Sequence, residues 1–492
     1  MINLSGRRSP WLIVTLGVGS FWLSWSAGTL YGQERFRQSP PPPDPLHEWR
    51  LPVVESARLS NGLTVAVAPR PEASQMCIQA VVLAGVADSP PRVPAVAGLT
   101  ASMASRGTTF LSSSDVEEKI EAMGAEFQVS VSMDYTLFSI TVLEEFLDEA
   151  LLLLSEMLLQ PAFSDREKEY VRRTMFYELR EKARDPEYVA KRLLFGVLFD
   201  GHPYRTATFT EDAVMDVSPK DVLAFYDRYY RPNNTLLTIA GNINLTTAGR
   251  KVSHYFNTWR EKKTDQLVPP PPAPSTKEQV GFIEFPGAKD VSIFLGNVIM
   301  PMAASDYFPF VVLNQILGGT TNSRLFMNLR ESKEYAYYAF SGLDFFRSCG
   351  VFWVRAKVTP GVINESVQEI LREIRGVASE RIRPEEIEQA KSFLIGNFPL
   401  RNERLTDFSF MFSLNEAFGL GDEHWNRYYD NVMLVNLDRV LETAQKFLRS
   451  PPVVIIAGDR NLVIDNFKGF EKVDIYDSRG TVRSTINKGV ER

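Results

Sequence analysis

Two proline blocks limit this chain more than any other feature. Consecutive prolines fix φ and remove backbone donors, so Ser39 to Pro45 (SPPPPDP) and Val268 to Ser275 (VPPPPAPS) belong to no helix or sheet interior. The chain after the first block is therefore cut into two pieces of similar size, 51–265 and 277–492, joined by a linker at 266–276. The two pieces echo each other. Tyr230 to Gly241 (YRPNNTLLTIAG) closes the first, and Leu448 to Gly458 (LRSPPVVIIAG) closes the second. Each is a helix end, a proline turn, a buried strand and a glycine, as expected from duplication of one unit.

Periodicity gives each unit an α+β plan. In the first, Leu59 to Val67 and Cys77 to Gly85 read as strands, the former bent at Asn61-Gly62. Ser114 and Glu117 suggest a capping box for a helix over Ser114 to Gly124. Phe127 to Val142 alternates around Met133-Asp134-Tyr135 as a hairpin, followed by helices over Leu143 to Gln160 and Asp165 to Arg184. In the second, the strands are Phe282 to Phe285, Val291 to Val298 and Gly350 to Val358. Its helices are Phe308 to Gly318, Val367 to Glu380 and Pro384 to Gly396. The expected fold class is α+β: two homologous domains, each a mainly antiparallel sheet with helices on one face.

The N-terminus has Arg7 and Arg8, an apolar run from Trp11 to Trp25, then Ser26-Ala27-Gly28. That is the plan of a signal peptide over 1–28, with 29–50 as a proline-rich spacer. Export to the periplasm or cell envelope is expected, with membrane contact only if the N-terminal anchor stays uncleaved. The formal charge is -6 and no basic block is present, so nucleic acid is not an expected partner. Cys77 and Cys349 lie far apart, so they form either one long-range disulfide or two buried thiols, the second being favoured. Four histidines, His47, His202, His254 and His424, set a low ceiling on histidine-based metal chemistry. No pair has helical i, i+4 spacing; His202, in a Gly-His-Pro-Tyr turn, reads as structural and the other three as surface residues.

Several segments carry a family resemblance. They are Ser60 to Val65 (SNGLTV), Ala97 to Thr108 (AGLTASMASRGT), Gly201 to Tyr204 (GHPY), the Tyr230 to Gly241 stretch, Leu313 to Gly319 (LNQILGG), and Ser323 to Phe326 running on to Leu329-Arg330-Glu331. Over about Leu51 to Arg460 the chain resembles the pitrilysin or insulysin-type zinc peptidases, which include mitochondrial processing peptidase. Active members bind zinc through His-x-x-Glu-His on a helix and a distal glutamate. Two histidines four apart share one helical face, and the intervening glutamate can deprotonate zinc-bound water. Counted back from Gly107-Thr108, those positions are here Gly98, Ala101 and Ser102, none of which ligates zinc strongly or acts as a base. Glu178, 76 residues beyond Ser102, stands at the distal glutamate position. It is either a relic or a solvated helix residue paired with a neighbour such as Lys182.

The resemblance also implies that Arg330 and Tyr337, seven residues apart, hold peptide and steady the developing oxyanion at a zinc. The plainer alternative is a helix arginine paired with Glu334 and an ordinary strand tyrosine. A blank zinc helix beside this pair resembles the non-catalytic half of two-component members. The expected role is thus a subunit active only with a zinc-bearing homologue, with unstructured peptides as substrate, no cofactor in this chain and zinc in the partner. A structural or peptide-binding protein with no catalytic role is the alternative. An unaided peptidase with ligands hidden from sequence spacing is a third reading.

Overall fold

The computed structural model describes residues 51–492 except 264–267, 275–277, 380–381, 422, 478, 489 and 492. The signal segment 1–28, the spacer 29–50 with His47, and parts of the 266–276 linker lie outside the described residues.

The first sheet contains β1 (Glu55–Arg58), β2 (Thr64–Pro69), β3 (Gln75–Val82), β4 (Glu126–Val131), β5 (Thr136–Leu143) and β6 (Thr235–Gly241), in the order β1-β2-β6-β3-β5-β4. The expected bent strand is a hairpin. Asn61-Gly62 turns the chain with Gly62 at φ +88°, which a side chain would resist, and β1 then pairs antiparallel with β2. The second sheet contains β7 (Gln279–Glu284), β8 (Val291–Ile299), β9 (Ala336–Phe345), β10 (Gly350–Val358), β11 (Val453–Gly458), β12 (Lys472–Tyr476), β13 (Val482–Asn487) and β14 (Val490–Glu491). Its order is β14-β13-β12-β7-β11-β8-β10-β9. From β2 and from β7 onward the two orders coincide, and β6 and β11 hold the same place, parallel to β2 and β7 and antiparallel to β3 and β8. The sequence echo at 230–241 and 448–458 is thus the innermost part of a repeated sheet. The architecture is the α+β pair of mainly antiparallel sheets that the periodicity implies.

Helices bury one face of each sheet. Ile78, Ala80, Phe138, Ile140, Leu237 and Ile239 meet helices of the first half, and Ile293, Leu295, Phe352, Val354 and Ile456 meet those of the second. Full burial of each large side chain contributes roughly 1.5–3 kcal/mol. The opposite faces are covered by exchange. Helix Pro186–Leu198, begun by Asp185 as N-cap and Pro186 at its first turn, belongs to the first half but packs on β8 and β11. Helix Leu405–Phe418, ended by Gly419 in the left-handed region, belongs to the second half but packs on β3 and β6. Among the described residues no helix is long and apolar enough to cross a membrane.

The tips of the hairpins meet in a buried polar cluster. Asp134, in the turn read from sequence, is 3% exposed. Its carboxylate accepts from Tyr204 Oη at 2.9 Å and from the Arg347 backbone N–H at 2.9 Å. Burial raises its pKa, while Arg347 and Tyr204 act to lower it. Tyr204 Oη accepts in turn from Ser348 N–H at 3.2 Å. His202 has the structural role expected of it. Nδ1 accepts from Tyr204 N–H, and Nε2 lies 2.7 Å from the Pro270 carbonyl, clipping the proline linker to the turn.

Cys77 and Cys349 are separate buried thiols. His254 is exposed, but His424 is not the surface residue expected: it is partly buried among Tyr307, Phe308 and Trp425, and desolvation lowers its pKa to about 4.

Candidate functional site

The helix at the resemblance's zinc position is Val96–Ala104, rich in small residues so that it can lie close to its neighbours. Val96, Ala97, Leu99, Thr100, Ala101, Met103 and Ala104 are buried. It packs on helix Asp165–Lys182, whose acidic first turn and basic last turn suit the helix dipole. Of the three motif positions, Gly98 lies against that second helix. A Cβ placed on Gly98 would lie 2.8 Å from Met175 Cε, so the end of the flexible Met175 side chain packs on the glycine and would have to shift for a side chain at residue 98. Ala101 is buried and Ser102 is partly buried.

Glu178 stands one turn beyond Met175 on the same helix and is exposed. No ion pair reaches it among the described residues, so the expected pairing with Lys182 does not form. Three protein ligands normally hold a catalytic zinc. These four positions offer one carboxylate and a neutral hydroxyl, with an apolar side chain packed on the glycine. The residues do not fit zinc.

What the segment keeps is its fastening. Arg106 Nε donates to Glu167 Oε2 at 2.6 Å, and its guanidinium lies 4.0 Å from the Tyr170 ring centre. Burial acts to raise the Glu167 pKa, but hydrogen bonds from Arg106 and Ser113 hold it below the usual glutamate value. Thr108 Oγ1 accepts from the backbone of Phe110 and Leu111, fixing the turn after the helix. The Arg-Gly-Thr signature thus ties the helix to its neighbour.

Arg330 and Tyr337 come together at the other sheet. Arg330 lies in the π-helical turn Met327–Ser332, and its Nε donates to the Tyr337 main-chain carbonyl at 3.0 Å. The guanidinium pairs with Glu331, not with Glu334 as the plainer reading supposed. Tyr337 sits in β9, which among the described residues pairs only with β10 and leaves an edge; the residue is 56% exposed. The two residues are therefore adjacent and accessible. No hydrogen bond or ion pair among the described residues joins them to helix 96–104 or to Glu178.

Sequence reasoning missed the Asp134, Tyr204 and Arg347 cluster and the polar sheet face described below. Their partners lie far apart in the chain, and the one local hint is Gln79 inside the apolar run MCIQAVV.

Comparison with known proteins agrees with this geometry. A family profile described as "Insulinase (Peptidase family M16)" matches residues 64–211, and one described as "Peptidase M16 inactive domain" matches 216–394. The chain is 20% identical over 404 residues to an uncharacterized zinc protease, YmxG, of Bacillus subtilis, covering 82% of this chain and 98% of the relative. A non-peptidase homolog, also termed YmxG, from Helicobacter pylori is 21% identical over 313 residues, covering 63% of this chain and 72% of the relative. A crystal structure of a peptidase M16 inactive domain from Pseudomonas fluorescens superposes with a TM-score of 0.77 at 19% identity, covering 82% of this chain and 98% of that one. At that identity the superposition speaks for the fold alone. The two consecutive profiles together span about two thirds of the sequence, and this chain therefore belongs to peptidase family M16, the insulinase or pitrilysin-type family, as a member without its zinc motif.

Proposed function

We propose that this protein is the non-catalytic subunit of a heteromeric zinc metallopeptidase. It would be exported by its N-terminal segment and paired with a homologue that carries His-x-x-Glu-His. The observation that carries this reading is the contrast between a helix at the zinc position with Met175 packed on its glycine and an Arg330/Tyr337 pair that stays adjacent and exposed on a sheet edge. In the assembly the partner supplies metal and base. Arg330 contributes a fixed positive charge for a peptide carbonyl or carboxylate, and Tyr337 a phenol that can donate to the developing oxyanion. An extended peptide gains main-chain hydrogen bonds by adding to a sheet edge, which makes unstructured peptides the fitting substrate.

The test is peptide hydrolysis by the zinc-bearing homologue with and without this chain. Activity that needs both, and falls at least about 100-fold with Arg330→Ala or Tyr337→Phe in this chain, supports the reading; that factor matches loss of one oxyanion donor. Unchanged activity on mixing refutes it.

One observation favours the structural alternative. Arg330 already gives Nε to the Tyr337 carbonyl and Nη1 to Glu331, as a residue closing a turn would. Under that alternative the variants lower the melting temperature and leave the partner's activity untouched.

A further inference from the structure

A cavity of about 540 Å³ lies among helices Tyr307–Gly318, Pro384–Arg401 and Leu405–Phe418, beside β9 and β10. Its size is that of a small-molecule site, and Trp353, Phe393 and Phe410 give it aromatic walls. Tyr307 and Tyr428 also line it, although they are only 7% and 8% exposed. Both rings are held by packing. Tyr428 stacks on Phe398 with ring centres 3.9 Å apart, and Tyr307 meets Phe345 at 5.1 Å. Their hydroxyls are left over. Neither makes a hydrogen bond among the described residues, yet neither is sealed from solvent, so each opens where its ring borders the cavity. A buried phenol normally has a partner, which makes two such groups on one cavity notable.

Arg401, the last residue of its helix, lines the same cavity. It is exposed, and its side chain makes no ion pair or hydrogen bond among the described residues. Its charge acts on the phenols of both Tyr307 and Tyr428, which places the three groups at one end. That end offers two O–H donors and a guanidinium with five N–H donors and no acceptor. Asp407 lines the cavity as well, but no ion pair joins it to Arg401, and its charge acts on Cys77 of the first sheet. Negative charge is therefore favoured at one end and opposed at the other. This suits a single carboxylate, which a guanidinium can hold through two parallel N–H donors, rather than a phosphate or a dicarboxylate.

We infer that this cavity binds a small aromatic monocarboxylate, its carboxylate held by Arg401, Tyr307 and Tyr428 and its ring against the aromatic walls. The site belongs to this chain alone and does not rest on the subunit reading. The test is calorimetric titration of the full chain at neutral pH with 3-phenylpropionate and with 3-phenylpropanamide, which has the same body without the charge. Saturable binding of the carboxylate is expected, with the amide weaker by about tenfold or more, the factor for one charged hydrogen bond. Arg401→Gln should weaken the carboxylate by about tenfold or more and leave the amide unchanged. Its melting temperature should stay that of the wild type, because the side chain has no partner to lose. Tyr428→Phe should weaken the carboxylate about threefold or more, also without loss of melting temperature, since the hydroxyl it removes is unbonded. No saturable binding to the folded wild-type protein, equal affinity for carboxylate and amide, or undiminished carboxylate binding by Arg401→Gln would overturn the inference.

Discussion

The two exchanged helices do the same topological task with different chemistry, one contact apolar and the other part polar. Helix 186–198 seals the second sheet with Val189, Ala190, Leu193 and Leu194 against Ile283, Phe294, Val351, Val453 and Ile455, all of them buried. Gly296 in β8 lets the backbone come close, since a Cβ there would lie 3.0 Å from Leu194 Cδ2. Helix 405–418 lies in its middle on the Thr238, Gln79 and Ser139 row, with Ser409 and Ser413 fully buried against it, while its end packs Ala417 and Phe418 on Val81, Leu83 and Leu137. Cavities of about 610, 540 and 530 Å³ reach Phe410 on this helix, the first of them shared with Tyr188, Lys191 and Phe195 of helix 186–198, which has another of about 430 Å³ at Leu193 and Gly196. A dry contact is what stability selects, because each buried apolar group contributes and none is left unpaired. A polar contact with room beside it contributes less to stability and leaves groups free for other molecules.

The comparison breaks most directly at Leu194. Leu194→Ala should destabilise by about 2–5 kcal/mol in urea unfolding, the range for a buried leucine. A loss below about 1 kcal/mol would mean that the dry contact is no better packed than its counterpart. Next, the hairpin cluster carries weight between the halves. Tyr204→Phe removes the hydroxyl that serves both Asp134 and Ser348, and should cost about 1–3 kcal/mol by leaving a buried carboxylate short of a donor.

Acid sharpens the picture through two groups of opposite sign. Burial raises Asp88 to about 6, opposed by the Gly85 N–H and Arg347. The folded chain therefore binds its proton before the unfolded chain does, and this group adds stability as pH falls from about 7 to 4. Burial lowers His424 to about 4, so the unfolded chain takes that proton first and stability is lost over a similar interval. Each contribution is about 2 kcal/mol, since a one-unit shift is worth about 1.4 and both sites are only partly buried. The two should nearly cancel in the wild-type chain. Asp88→Asn should expose an acid-destabilised profile and His424→Phe an acid-stabilised one, read from melting temperatures across pH. Parallel profiles for the two variants would contradict both assignments. The smallest effect is expected at the polar helix itself: Ser413→Ala should change stability by no more than about 1 kcal/mol, the net worth of one hydrogen bond.

The sequence carried much of this architecture. Alternation located β3, β5, β8 and β10 to within a few residues, because each has one apolar face fixed by a core. Capping was misread by two residues. Ser112 and Asp115 form the box, not Ser114 and Glu117, since several serines in a row offer competing starts. The long strand β9 and the C-terminal strands β12 and β13 went unread, and the exchange of helices was invisible. Nothing local in Pro186–Leu198 says which sheet its apolar stripe will meet. At the candidate site the loss of ligands at Gly98, Ala101 and Ser102 was legible as residue types. The packing of Met175 on Gly98 was not, because it depends on two helices 77 residues apart meeting side by side.

The central claim is that this chain has the fold of a zinc peptidase without its metal site, and metal content tests it most directly. The full chain would be purified without chelator, dialysed against excess zinc and then metal-free buffer, and measured by mass spectrometry of the metal alongside hydrolysis of an unstructured peptide library. The account predicts only trace zinc and no hydrolysis by the chain alone. One zinc retained per chain, with cleavage that a chelator abolishes, would contradict it.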